Sequence, residues 1–207
     1  DFGYDFLQGL QQIEIYKGAS GAIFGPAAIG GAINFVTDVD YTNSFSLNGF
    51  NFKNNSTNYN TTKITDSGWH LNFNGAANQS KTDSAIAKGV ESDGSKNYQI
   101  NLNGNKWLND NFKLKSTFYY RDTKSAYDKS ATQEGSVTSD NKMYAFQTGI
   151  ERKTKNSLDN LIFHYHNYDR KYYVQGKKDK YYSESLVAKA EREVAVNNKL
   201  SYGYGSE

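Results

Sequence analysis

Beyond Asp40 the chain alternates apolar and polar residues with a period of two. Between Trp69 and Gln79, Trp69, Leu71, Phe73, Gly75 and Ala77 share one face, and His70, Asn72, Asn74 and Asn78 share the other. That is the period of a β-strand, whose successive side chains point to opposite sides of the sheet. The pattern returns at Tyr98–Gly104, Phe112–Tyr120, Tyr144–Ile150, Leu161–Tyr165, Leu186–Ala190 and Leu200–Tyr204. Two earlier strands are weaker. Ser44–Phe52 changes parity at Gly49–Phe50, which predicts a β-bulge, and Tyr59–Thr65 is mostly Asn and Thr. Together these make about nine strands. Leu71, Phe73, Ile100, Leu102, Leu114, Phe118, Phe146 and Phe163 are expected on one outward face. Arg at Phe73 should then be costly and Arg at Asn72 tolerated.

The connections alternate in length. Asp66–Gly68, Leu108–Asn111, Thr154–Ser157 and Asn197–Asn198 are short, while Lys81–Ser95, Thr123–Asn141 and Lys171–Tyr181 are long and polar. Only Lys53–Thr57 is short where a long loop is due. Short turns at one end and long loops at the other are the habit of outer-membrane barrels. A soluble sandwich has no reason to segregate loop lengths. Trp69 lies beside a short turn, and Tyr119, Tyr120, Tyr168, Tyr172, Tyr173, Tyr181 and Tyr182 lie toward the long loops, as aromatic girdles would. Trp107 has the wrong parity for the apolar face and is assigned to its turn.

Composition narrows the class. Lys and Arg number 24 against 22 Asp and Glu, a balance that makes no electrostatic case for nucleic acid. With 17 Tyr and 12 Phe the chain is too aromatic for a disordered one, and with no Cys it holds neither a disulfide framework nor a thiolate metal site. A mean hydropathy of −0.80 and no long apolar run exclude a membrane helix. They do not exclude a membrane barrel, whose strands are half polar because one face meets water. The chain opens at Asp1 with no basic or apolar leader, so the expectation is a processed chain or a fragment.

Residues 1–40 differ in kind, being rich in Gly, Ala and Ile. Residues 12–37 read QIEIYKGASGAIFGPAAIGGAINFVT: a strand, a Gly-rich turn, a small-residue run and a second strand. Gly18, Gly21, Gly25, Gly30 and Gly31 permit positive φ or close backbone approach. The stretch resembles the C-terminal part of the plug domain of TonB-dependent outer-membrane receptors. The resemblance is carried by Ile13-Glu14-Ile15, Lys17-Gly18, Phe24-Gly25, Ala28-Ile29-Gly30-Gly31-Ala32-Ile33-Asn34 and Thr37, with Lys17 and Ala19 where the family has Arg and Pro. It implies a plug fragment over residues 1–40, with Lys17, Gly18, Gly25, Gly30, Gly31 and Asn34 as its motif. Residues 41–207 would then be the first part of a partial transmembrane antiparallel β-barrel, all-β, a meander within a larger barrel. It also implies TonB-coupled uptake of a scarce chelate (siderophore, cobalamin or haem) across a bacterial outer membrane. TonB would act through a segment not in this chain, and outer-membrane lipid would surround the strands.

Several constellations are candidates for chemistry. The glycines match neither a Walker loop nor a dinucleotide fingerprint. No catalytic set stands out, so an enzyme is not expected. His164 and His166 lie two apart on one strand, a spacing open to metal or haem but without a third ligand. Asp83, Glu91 and Asp93 in one loop, and Asp128, Glu134 and Asp140 in the next, offer oxygen ligands for Ca²⁺, and the plain alternative is a solvated surface. No other cofactor is expected. Ligand recognition is assigned to the long loops, through Tyr127, Arg170, Tyr172 and Tyr173. The rival readings are a small non-transporting barrel and a soluble β-sandwich binding module.

Overall fold

In the computed structural model, residues 12–18, 30–36, 43–51, 54–83, 92–130, 133–174, 177–197 and 200–206 are described. They form eleven strands and no helix: β1 (Gln12–Lys17), β2 (Gly31–Val36), β3 (Ser44–Asn51), β4 (Asn54–Ile64), β5 (His70–Asp83), β6 (Ser92–Trp107), β7 (Phe112–Ser130), β8 (Gln133–Lys153), β9 (Ser157–Val174), β10 (Lys177–Asn197) and β11 (Leu200–Ser206). β1 and β2 pair antiparallel in a sheet of their own. The other nine make one antiparallel meander in sequence order from β3 to β11. The expected bulge is present as a register shift between Gly49 and Asn51.

Register makes the alternation two-dimensional. Directly paired residues share a face, so Phe73, Leu102, Phe118, Phe146, Tyr165 and Leu186 form one continuous row across β5–β10. The row on one side of it is Leu71, Gly104, Ser116, Thr148, Phe163 and Ala188, and the next on that side adds Leu114, Ile150, Leu161 and Ala190. All eight residues expected on one face share it. The opposite face carries rows such as Asn72, Asn103, Thr117, Gln147 and His164.

Burial is inverted relative to a water-soluble sheet. Asn72, Asn74, Asn97, Gln99 and Asn101 on the polar face are buried, while Leu102 is 43%, Phe163 47% and Leu186 78% exposed on the apolar face. Of the buried residues described, only Asn167 belongs to the apolar face. The buried amides are wired across strands. Asn72 Nδ2 donates to Asn60 Oδ1 at 2.9 Å and Thr62 Oγ1 at 3.1 Å, Asn103 donates to Asn72 at 3.3 Å, and Thr117 donates to Asn103 at 3.0 Å. The expectation that Arg is tolerated at Asn72 is therefore corrected. The residue is 5% exposed and links β4 to β6, so replacing it breaks the buried cross-strand bonds to Asn60 and Asn103.

Three short turns at one end are closed by side chains. Gly68 has φ +81°, and Thr65 Oγ1 accepts the Trp69 amide at 3.0 Å. Asn109 Oδ1 accepts the amides of Asn111 and Phe112, each at 3.0 Å, and Thr154 Oγ1 accepts that of Ser157 at 3.0 Å. At the other end the expected long loops Thr123–Asn141 and Lys171–Tyr181 are corrected. Pairing of β7 with β8 continues to Ser130 and Gln133, and that of β9 with β10 to Val174 and Lys177. These stretches lack apolar alternation because both faces are polar, and strand pairing needs only the backbone.

Candidate functional site

The polar face near the hairpin tips gathers the charged and aromatic side chains most suited to bind a ligand. Arg121 pairs with Met143, and Met143 with Tyr168; one row on, Thr123 pairs with Asn141 and Asn141 with Arg170; the next row ends at Tyr172. Strands lie about 4.8 Å apart, so Arg121, Tyr168, Arg170 and Tyr172 line a patch roughly 10 Å across. The Arg170 guanidinium lies 5.4 Å from the Tyr172 ring, a cation–π contact. Tyr168 donates to Asn141 Oδ1 at 3.1 Å, which also accepts from Ser139 at 3.2 Å, and Thr123 donates to Asn97 at 3.0 Å. These bonds hold the wall rigid behind the arginines.

The charge pattern of this face is one-sided. Near the short turns Lys115 pairs with Glu151, and Lys189 with Glu191 at 2.7 Å. From there to Asp179 and Asp93 near the tips, the described polar-face rows carry Arg121, Arg170 and the histidines but no carboxylate. Such a surface attracts anions.

The four residues expected to bind ligand divide. Arg170 and Tyr172 adjoin on the polar face, and Tyr127 pairs with Val137 through its backbone, its side chain lying outside the described residues. Tyr173 has the opposite parity. It faces the apolar side beneath Lys178, 5.9 Å from its ring, and so does not share a ligand with Arg170. Sequence reasoning missed Arg121, Tyr168 and Asn141; parity along β9 places Tyr168 with Arg170, and register across β7–β9 adds Arg121 and Asn141.

In the β1–β2 hairpin, Lys17 pairs with Gly31 and Glu14 with Asn34, and the Gly18 amide donates to the Gly30 carbonyl at 3.4 Å. Gly18 has φ +90° and Gly31 φ +139°, and a Cβ on Gly31 would lie 2.4 Å from the Tyr16 carbonyl oxygen. Gly30 uses neither freedom, having no positive φ and no atom within 4 Å of an added Cβ; Gly25, Gly21 and Thr37 lie outside the described residues. Tyr16 donates to Glu14 Oε2 at 2.9 Å, and that bond raises the phenol's pKa above its usual value.

The His164 and His166 rings lie with centroids 5.8 Å apart and planes tilted by 47°, and His166 Nδ1 bonds Ser185 Oγ at 3.2 Å. Among the described residues no three ligating side chains gather. Asp93 and Asp140 have opposite parity and cannot share an ion, which corrects the Ca²⁺ expectation for that pair. The side chains of Asp83, Glu91, Asp128 and Glu134 lie outside the described residues. No protein-family model matches the chain, and no curated protein is significantly similar to it.

Proposed function

We propose that this chain is the end of a plug domain followed by the first strands of the transmembrane barrel of a TonB-dependent outer-membrane receptor, which imports a scarce anionic chelate. The observation that carries the reading is the inverted sheet. Its apolar face is exposed as a continuous band and nearly all its buried side chains lie on the polar face, as a wall between lipid and a hydrated lumen requires. The band has the right height. Ten residues separate outward charges on two successive strands: Lys142 from Arg152, and Asp169 from Asp159. At about 3.4 Å per residue and a tilt of about 40°, ten residues rise roughly 26 Å, against about 25 Å for the apolar band of such barrels. Tyr98, Tyr120, Tyr144 and Tyr182 lie toward the edge nearest the long hairpins, whereas Tyr119, Tyr168, Tyr172 and Tyr181, expected in the same girdle, have the opposite parity and face the polar side. A soluble sandwich would cover the apolar face with a second sheet. A small complete barrel would have no use for the motif of residues 12–37.

In this reading the long hairpins are extracellular, and Arg121, Tyr168, Arg170 and Tyr172 line the upper lumen, where an anionic chelate passes before reaching the plug. Force from TonB on the plug opens the route, and a polar lumen wall lets the plug move without exposing a hydrophobic core. The test is uptake of radiolabelled ferric siderophores, cobalamin and haem into cells expressing the receptor, with and without TonB and a protonophore. Uptake of one ligand, abolished by either treatment, is expected. Uptake indifferent to both, or a protein recovered only in the soluble fraction, overturns the reading.

A further inference from the structure

At the edge of the band near the short turns, the apolar face ends in a row of charges. Phe112 pairs with Arg152, Arg152 with Asp159, Asp159 with Arg192, and Arg192 with Tyr204. Directly paired residues share a face, so all five point outward. Two guanidinium groups converge on one carboxylate. Arg192 donates to both Asp159 oxygens, at 2.5 and 3.0 Å, and Arg152 Nη1 stands 3.8 Å from Asp159 Oδ2. Among the described residues, no second carboxylate comes within ion-pair distance of either arginine, so the cluster keeps a net positive charge. Arg152 is the looser of the two. Its side chain is 49% exposed, and its guanidinium carbon lies 5.9 Å from the centre of the Phe112 ring. A guanidinium propped on an aromatic face, with only one distant carboxylate, is a ready phosphate donor, because its planar fork matches two phosphate oxygens.

Inward of this row the apolar face is hollow. A cavity of about 650 Å³ is walled by Phe112, Ile150 and Leu161, floored by Ala190 and rimmed by the three charges. Along β10 the outward residues are Arg192, Ala190, Ala188 and Leu186, and their partners on β9 are Asp159, Leu161, Phe163 and Tyr165. The two alanines thus form a trough beside a ridge of larger side chains, open at the charged row and closed by Leu186 in the central apolar row. Leu186 lies six residues from Arg192. At about 3.4 Å per residue and a tilt near 40°, that span rises roughly 16 Å, the depth of one leaflet of a hydrocarbon core about 30 Å thick.

We propose that this trough binds one anionic glycerophospholipid of the periplasmic leaflet, its phosphate accepting from Arg152 and one acyl chain lying over Ala190 and Ala188. This rests on the membrane reading above. Arg192 supplies the second positive charge, and the apolar trough accounts for a lipid rather than a free phosphate. A zwitterionic headgroup fits less well, because the one carboxylate at the site is already engaged by two arginines and has nothing to offer an ammonium group. The receptor, extracted into non-ionic detergent, is titrated with phosphatidylglycerol, with phosphatidylethanolamine and with inorganic phosphate, binding being read by native mass spectrometry. Phosphatidylglycerol should bind at least tenfold more tightly than phosphatidylethanolamine. Arg152→Gln, which removes the donor, and Ala190→Phe, which fills the trough with an apolar ring, should each lose at least tenfold. Lys142→Gln, at the opposite edge of the band, should leave binding unchanged. Equal binding of the two lipids, displacement by equimolar inorganic phosphate, or full affinity in either of the first two variants overturns the proposal. Flotation of the protein with phosphatidylcholine vesicles separates the two failures. Flotation without lipid preference sinks this inference alone, and absence of flotation sinks the membrane reading with it.

Discussion

Phe146→Arg is the sharpest probe of the inverted sheet. Phe146 sits in the central apolar row between Phe118 and Tyr165 and is 46% exposed. It lies four residues from Lys142 and six from Arg152, which bound the band on its strand. With about 3.4 Å per residue and a tilt near 40°, it stands roughly 10 Å below one edge and 16 Å above the other. That is close to the midplane, where Arg on the lipid face of a barrel costs about 2–4 kcal/mol. The adjacent Gln147 has the opposite parity, is exposed and pairs with Thr117 and His164, so Gln147→Arg is the matched control, expected to change stability by less than about 0.5 kcal/mol. Urea titrations of the protein folded into phosphatidylcholine vesicles, followed by tryptophan fluorescence, give both values. If the face were simply wet, a half-exposed Phe replaced by Arg would fall in the same small range as the control. Equal losses at 146 and 147 would refute the assignment of faces, and so would a larger loss at 147.

Gly31→Ala should destabilise the β1–β2 hairpin by about 1–3 kcal/mol through positive φ and the close Tyr16 carbonyl, whereas Gly30→Ala should be near neutral; amide exchange at Ile15 and Ile33 reports both. Arg170→Ala should weaken chelate binding at least tenfold in equilibrium dialysis, and Tyr173→Ala, on the other face, should leave it unchanged. Tyr16 is held neutral by its bond to Glu14, so its contribution to hairpin stability is complete below the free-phenol pKa and is lost as pH rises through the elevated folded value. The ultraviolet difference titration of the protein against Tyr16→Phe should show ionisation above that of free tyrosine, and Glu14→Gln should bring it down.

The sequence by itself determined the strands, their meander and the two faces. Period-two alternation survives any arrangement of neighbours, because the pleat forces it on every strand, and the apolar set from Leu71 to Phe163 could be read off without a partner strand in view. The parity change at Gly49–Phe50 likewise predicted the bulge found between Gly49 and Asn51. Where alternation stops, legibility stops with it. The stretches around Tyr127 and Tyr172 look like loops because both faces are polar, although their backbones are paired almost to the hairpin tips. The rest belongs to register. One strand shows Lys96 and another Lys124, but only the pairing of β6 with β7 sets them opposite each other. The same holds for Arg121 of β7, which register brings to Tyr168 and Arg170 of β9, and for Asn72, whose tie to Asn60 and Asn103 turned a seemingly tolerant position into a linked, buried one. Alternation is a property of one strand, whereas a charge row, a binding wall or an amide network is a property of several at once. Register between strands is set by their joint packing and turns, and it is visible only in the tertiary structure.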